Sequence, residues 1–199
     1  GGAWLGLADI YADLDQIDRA VATYQAFVDA APAHTLAPEA LWEAAELLER
    51  NGRIDEAAAA FQDCRDAYPA SDVAPPALFH AGLHHYQRDR AEDAAQAWET
   101  LTASYPDSDQ RSAALLWLGK LHLAQGNREE ALGALQRASD TDPDAYYGLR
   151  AAQVAERTAA PPFPPLSYEP GQAEGSQSEA EDWLVDWLGL DGTGDLSAP

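Results

Sequence analysis

Apolar and small residues recur along this chain on two scales at once. Within short segments they fall three and four positions apart. Between Ala37 and Asn51 they occupy Ala40, Leu41, Ala44, Ala45, Leu47 and Leu48, the stripe of an amphipathic helix, with polar residues in the gaps. Gly52 then offers the left-handed backbone that ends a helix, a second helix is predicted over Asp55 to Ala67, and Tyr68-Pro69 stops it. Between segments the same pattern returns every 37 residues, as Pro32, Pro69, Pro106 and Pro143 show most plainly. Ala20, Ala57, Ala94 and Ala131 keep that interval, as do Tyr24, Phe61, Trp98 and Leu135. So do Leu5, Trp42, Phe79 and Leu116, and the small residues Ala8, Ala45, Gly82 and Gly119.

A fixed period of this size means stacked units, none of which buries its apolar face alone. Four repeats of a helix pair account for residues 1–143, and the expectation is an all-α helical-hairpin solenoid with negligible strand. Gly126 takes the Gly52 position in the fourth repeat, and Asp15 and Asp89 take it in the first and third; aspartate tolerates that backbone region better than most residues. Gly82 and Gly119 should mark the closest approach of paired helices, and Trp98 should lie in the core. After Pro143 the register ends. A terminal helix of the solenoid is predicted over 144–160, beginning at Asp144. A Pro/Gly/Ser-rich linker over 161–177 cannot offset the entropy of packing. Residues 178–199 hold a short amphipathic helix, with Trp183, Leu184, Trp187 and Leu188 on one stripe, and a tail. Such a helix is not stable alone and is expected to dock on the solenoid or on residues further downstream.

The repeat resembles the tetratricopeptide repeat. Its first unit reads Trp4, Leu7, Ala8, Tyr11, Asp15, Ala20, Tyr24, Phe27, Pro32, and the second Leu41, Ala44, Ala45, Leu48, Gly52, Ala57, Phe61, Cys64, Pro69. The third reads Leu78, Ala81, Gly82, His85, Asp89, Ala94, Trp98, Leu101, Pro106, and the fourth Leu115, Leu118, Gly119, His122, Gly126, Ala131, Leu135, Ala138, Pro143. The family's usual unit is about 34 residues; here the excess lies after the proline. The resemblance implies a right-handed superhelix whose first helix in each repeat lines a concave groove for a protein or peptide ligand. Carried over position by position, the groove residues are Leu5, Asp9, Ala12 and Asp13, then Trp42, Glu46, Glu49 and Arg50, then Phe79, Leu83, Tyr86 and Gln87, then Leu116, Lys120 and Leu123. Trp42, Phe79 and Tyr86 would be flat apolar anchors, and Arg50 and Lys120 the cations able to hold a carboxylate. The competing reading is that the apolar members simply pack against the adjacent helix.

The long Tyr-Pro-x-Ser joints resemble those of bacterial envelope proteins. The run Asp144-Ala145-Tyr146-Tyr147-Gly148-Leu149-Arg150-Ala151 resembles the superhelical region of soluble lytic murein transglycosylases. That resemblance implies a periplasmic or extracytoplasmic protein, with peptidoglycan reached through a catalytic domain beyond these residues. The chain holds no methionine, opens on Gly1-Gly2 directly in a repeat and ends without a closing helix, so it reads as a piece of a longer protein.

Charge narrows the partners. Thirty-four acidic residues face twelve basic ones, for a net charge of −22, and Lys120 is the one lysine. Such a field repels phosphate backbones and excludes nucleic acid as a natural partner, although adaptation to high salt would leave the same signature. No run of 18 or more apolar residues occurs, so no membrane insertion is expected. Cys64 is the single cysteine, which rules out an intrachain disulfide, and its place in the register predicts a small buried hydrophobe.

Candidate chemistry is sparse. His80 and His84 are one helical turn apart, a metal-ligand spacing, but the spacing of His, Cys and Asp along the chain supplies no third donor. His85 and His122 share the helix-packing position of Tyr11 and Leu48. Packing or surface roles are therefore expected for the histidines, with no metal and no cofactor. Carboxylate neighbours such as Glu46 and Glu49, or Glu129 and Glu130, invite a glycosidase reading, but that chemistry needs a cleft and a raised pKa. No catalytic residue is expected in this piece. The expected function is a non-catalytic scaffold for protein–protein interaction; the alternative is the arm of a lytic transglycosylase.

Overall fold

The computed structural model describes residues 2–159. Among them are nine α-helices and no strand: α1 (Gly2–Asp13), α2 (Ile17–Ala30), α3 (Ala37–Arg50), α4 (Ile54–Ala67), α5 (Ala74–Gln87), α6 (Ala91–Ser104), α7 (Arg111–Ala124), α8 (Arg128–Thr141) and α9 (Tyr146–Ala159). The linker predicted over 161–177 and the helix predicted around Trp183 and Trp187 lie outside the described residues. Each helix packs on its neighbours in sequence, and α9 packs on both α8 and α7. The result is a helical-hairpin solenoid of four repeats closed by α9. Odd-numbered helices from α1 to α7 are the first (A) helices of the pairs and even-numbered ones the second (B) helices.

Four turns between A and B helices repeat one design. Asp15, Gly52, Asp89 and Gly126 all have positive φ, from 58° to 81°. Each reversal lets the next amide bond back to the preceding helix: Gln16 to the Tyr11 carbonyl, Arg53 to Leu48, Arg90 to His85 and Asn127 to His122, at 2.8 to 3.0 Å. Acidic residues occupy the first turn of every B helix (Asp18; Asp55 and Glu56; Glu92 and Asp93; Glu129 and Glu130), where the helix dipole favours negative charge. Part of the chain's acidity is thus periodic and local in purpose.

The buried positions follow the 37-residue interval. Ala20, Ala57, Ala94 and Ala131 are fully buried, and Tyr24, Phe61, Trp98 and Leu135 fill the space between paired helices. Gly82 is where α5 and α6 meet most closely: a Cβ there would overlap the Trp98 indole, whose Nε1 donates to the Phe79 carbonyl at 3.3 Å. At Gly119 an added Cβ would stand 2.6 Å from Leu135 Cγ. Cys64 is buried, 3.6 Å from the Pro38 carbonyl oxygen that its thiol faces, and burial pushes its pKa up to about 12. His85 is buried at its packing position, with Nε2 2.8 Å from Gln62 Nε2.

Successive repeats are tied by bonds that recur at the period. Tyr68 donates its hydroxyl to the Pro32 carbonyl at 3.0 Å, and Tyr105 does the same to Pro69 at 2.8 Å. Arg53 reaches back to Asp18, and Arg90 to Asp55. In the fourth repeat those positions are Asp142 and Asn127, and among the described residues neither bonds to the third repeat.

The terminal helix starts two residues later than the sequence suggests, at Tyr146 rather than Asp144. The chain first turns through Asp142 to Ala145, and Gly148 then presses so closely on the Asp142 carbonyl that any side chain would collide with it. No helix among the described residues is long and apolar enough to cross a membrane.

Candidate functional site

The A helices stand side by side, and the stripe of each that does not face its B helix forms a common surface. On α3 the residues Ala40, Leu41, Ala44, Ala45, Leu47 and Leu48 turn inward and are buried. That leaves Trp42, Glu43, Glu46, Glu49 and Arg50 on the other side, half-buried except for the exposed Arg50. Leu83 and Tyr86 of α5 and Lys120 of α7 are likewise half-buried. Two of the predicted groove residues are not displayed: Phe79 and Leu116 are buried, although they share the repeat position of the half-buried Trp42. Phe79 is 9% exposed and packs in the core of the third and fourth repeats.

The exposed members gather at two junctions. Where α3 meets α5, the Trp42 ring lies 5.1 Å from Phe61 of α4 and 5.3 Å, edge-on, from His80. Where α5 meets α7, Tyr86 lies 5.4 Å from Trp117, which stacks on Trp98 at 5.9 Å. Lys120 holds its ammonium 4.1 Å over the Trp117 ring, a cation–π contact. Burial, helped by the nearby Arg150 charge, lowers the Lys120 pKa. Arg50 pairs with Glu43 at 3.8 Å on its own helix.

Charge is unevenly spread over this surface. Glu43, Glu46 and Glu49 occupy one face of α3, and Glu43 has its pKa raised, first by burial and next by the neighbouring Glu46 charge, partly offset by Arg50. On α1, Asp9 accepts a 2.6 Å hydrogen bond from the Tyr24 hydroxyl, which holds the Tyr24 pKa well above its ordinary value together with burial, the larger cause.

Reasoning along the chain missed one grouping. Glu49 of α3 reaches across to α5, with Oε2 3.2 Å from His80 Nδ1 and Oε1 3.4 Å from His84 Nε2. The third donor that spacing on α5 did not supply therefore comes from the preceding A helix, 31 residues before His80. Tyr86 and Trp117, which touch at the next junction, are Glu49 and His80 each moved on by 37 residues, so the two pairs occupy equivalent positions. His84 is buried, and burial lowers its pKa, with Glu49 acting in the opposite sense.

Comparison with known proteins agrees with this architecture. The family model described as tetratricopeptide repeat matches residues 5–72 and 79–148. A solved tetratricopeptide repeat protein from Parabacteroides merdae is similar over 96% of this chain and 67% of its own, with a TM-score of 0.60 at 14% identity. MamA from Desulfovibrio magneticus is similar over 98% of this chain and 96% of its own, with a TM-score of 0.55 at 15% identity. At such identities the likeness speaks for the fold. No curated protein sequence matches the chain.

Proposed function

The chain belongs to the tetratricopeptide-repeat family, and on that premise we propose that it is a non-catalytic scaffold holding a polypeptide segment of a partner protein along its A-helix surface. One observation carries the reading: Trp42, Leu83, Tyr86 and Lys120 form a half-exposed band over three successive A helices, flanked by Asp9, Glu43 and Glu46. Aromatic edges that keep one face available are the usual anchors of an interface, and the acidic flank favours a segment carrying Lys or Arg.

Peptides rich in Lys, Arg and Leu, selected by display against the full chain, test it. The double replacement Trp42→Ala/Tyr86→Ala should weaken the selected peptides at least about tenfold while helicity stays unchanged. Phe79 is left alone because its loss would open the core. Binding that survives the double replacement would move the site off this surface.

A second reading, the superhelical arm of a murein-cleaving enzyme in the bacterial envelope, rests on the sequence resemblance of the run Asp144 to Ala151. Its test is the reading frame beyond Pro199. A lysozyme-like domain bearing a Glu-Ser pair there supports it, and a stop codon removes it.

A further inference from the structure

We propose that Glu49, His80 and His84 form a binding site for a divalent transition metal, with zinc the best match, bridging α3 and α5. One donor atom from each residue lies within 4.8 Å of the other two. A tetrahedron built on zinc–ligand bonds of about 2.0 to 2.1 Å has edges of about 3.3 to 3.4 Å. One carboxylate oxygen, Glu49 Oε1, lies 3.4 Å from both His80 Nδ1 and His84 Nε2, so two edges already have that length.

His84 supplies the second and independent observation. Its side chain is 2% exposed, and its Nε2 is a buried polar atom without a hydrogen-bond partner. The other ring nitrogen, Nδ1, lies 3.5 Å from Gln87 Oε1, a contact that becomes a hydrogen bond when the ring proton is on Nδ1. In that tautomer Nε2 keeps a free lone pair 3.4 Å from Glu49 Oε1, a proximity that is repulsive until something positive stands between them. A metal ion satisfies both. The contact from Nδ1–H to a carbonyl oxygen is also what commonly fixes the ring of a zinc-ligating histidine.

The surroundings suit such an ion. Trp42 and Phe61 pack against His80, and Phe61 stacks on His84, so the rings are held with little freedom to turn away. His80 and Glu49 keep about 30% of their side chains exposed, which leaves an entry route and room for a fourth ligand. Glu43 and Glu46 on the same face of α3 add a negative field. Two imidazoles and one carboxylate favour zinc and its transition-metal neighbours over magnesium or calcium, which prefer oxygen donors throughout.

The full chain, freed of metal with a chelator, is titrated with zinc sulfate by calorimetry, and with cobalt(II) followed by visible absorption. The expected result is one equivalent of zinc bound, a cobalt spectrum of four-coordinate intensity, a raised melting temperature with zinc and no response to magnesium. Glu49→Gln and His80→Gln, both at half-exposed positions, should each weaken zinc at least about tenfold with unchanged circular dichroism. His34→Gln and His122→Gln should leave binding as it was. The proposal is overturned if the folded chain takes up no zinc, or if zinc binds equally well to the Glu49 and His80 variants. Loss of binding in the His34 or His122 variant would place the ion elsewhere and overturn it as well.

Discussion

The junction of the second and third repeats and that of the third and fourth are built from equivalent positions, yet they hold together differently. At the first, Glu49, His80 and His84 meet across the A helices, while Tyr105 bonds to Pro69 and Arg90 to Asp55 behind them. At the second, the equivalent A-helix positions are Tyr86, Trp117 and Leu121, and the tying positions are Asp142 and Asn127. Stacking of Tyr86, Trp98 and Trp117 takes over there. The interval thus preserves which positions touch, while the chemistry of each contact is free to differ. A polar junction specifies geometry through directional bonds, whereas an aromatic one supplies burial and tolerates sliding. In a stack where each unit meets only its neighbours, the two should fail separately.

The largest test breaks the aromatic junction. Trp98 is fully buried, and Trp98→Ala should cost about 3 to 5 kcal/mol through the cavity it leaves, read from urea unfolding. Compression is the next test. Gly82→Ala forces a methyl group into the Trp98 indole and should cost about 1 to 3 kcal/mol. The directional ties are weaker: Tyr68→Phe removes only the hydroxyl bond to Pro32 at a largely exposed joint and should cost about 0.5 kcal/mol. A Tyr68→Phe loss as large as that of Trp98→Ala would show that the ties, and not burial, hold the stack. Smallest of all, Glu129→Ala on the exposed face of α8 should change stability by less than about 0.5 kcal/mol. A melting temperature matching that of Trp98→Ala would mean that the repeat register is misassigned.

Most of the scaffold was legible because the interval and the helical stripe constrain the same residues twice. The left-handed turns at Asp15, Gly52, Asp89 and Gly126, the close approaches at Gly82 and Gly119, and the buried Trp98 and Cys64 all follow from position in the repeat. The A-helix surface was less legible. Phe79 and Trp42 occupy equivalent positions, but one is buried and the other half-exposed, a difference that position in the repeat does not contain. Glu49 and His80 were out of reach for a different reason. Donors on separate helices are related by how the helices dock, and spacing along one helix does not contain that. The start of α9 was misjudged because the contact between Gly148 and the Asp142 carbonyl has no counterpart in the repeats.

The burial of Cys64 gives the molecule a built-in clock. Its thiol is fully enclosed in the second repeat against the Pro38 carbonyl, and enclosure holds it in the unreactive protonated form at neutral pH. A disulfide reagent in solution therefore waits for α3 and α4 to part, and its rate of reaction counts those partings. As the chain has one cysteine, every event recorded belongs to one place. Zinc or a bound peptide that clamps the second repeat to the third would slow that clock, even where the average structure does not change.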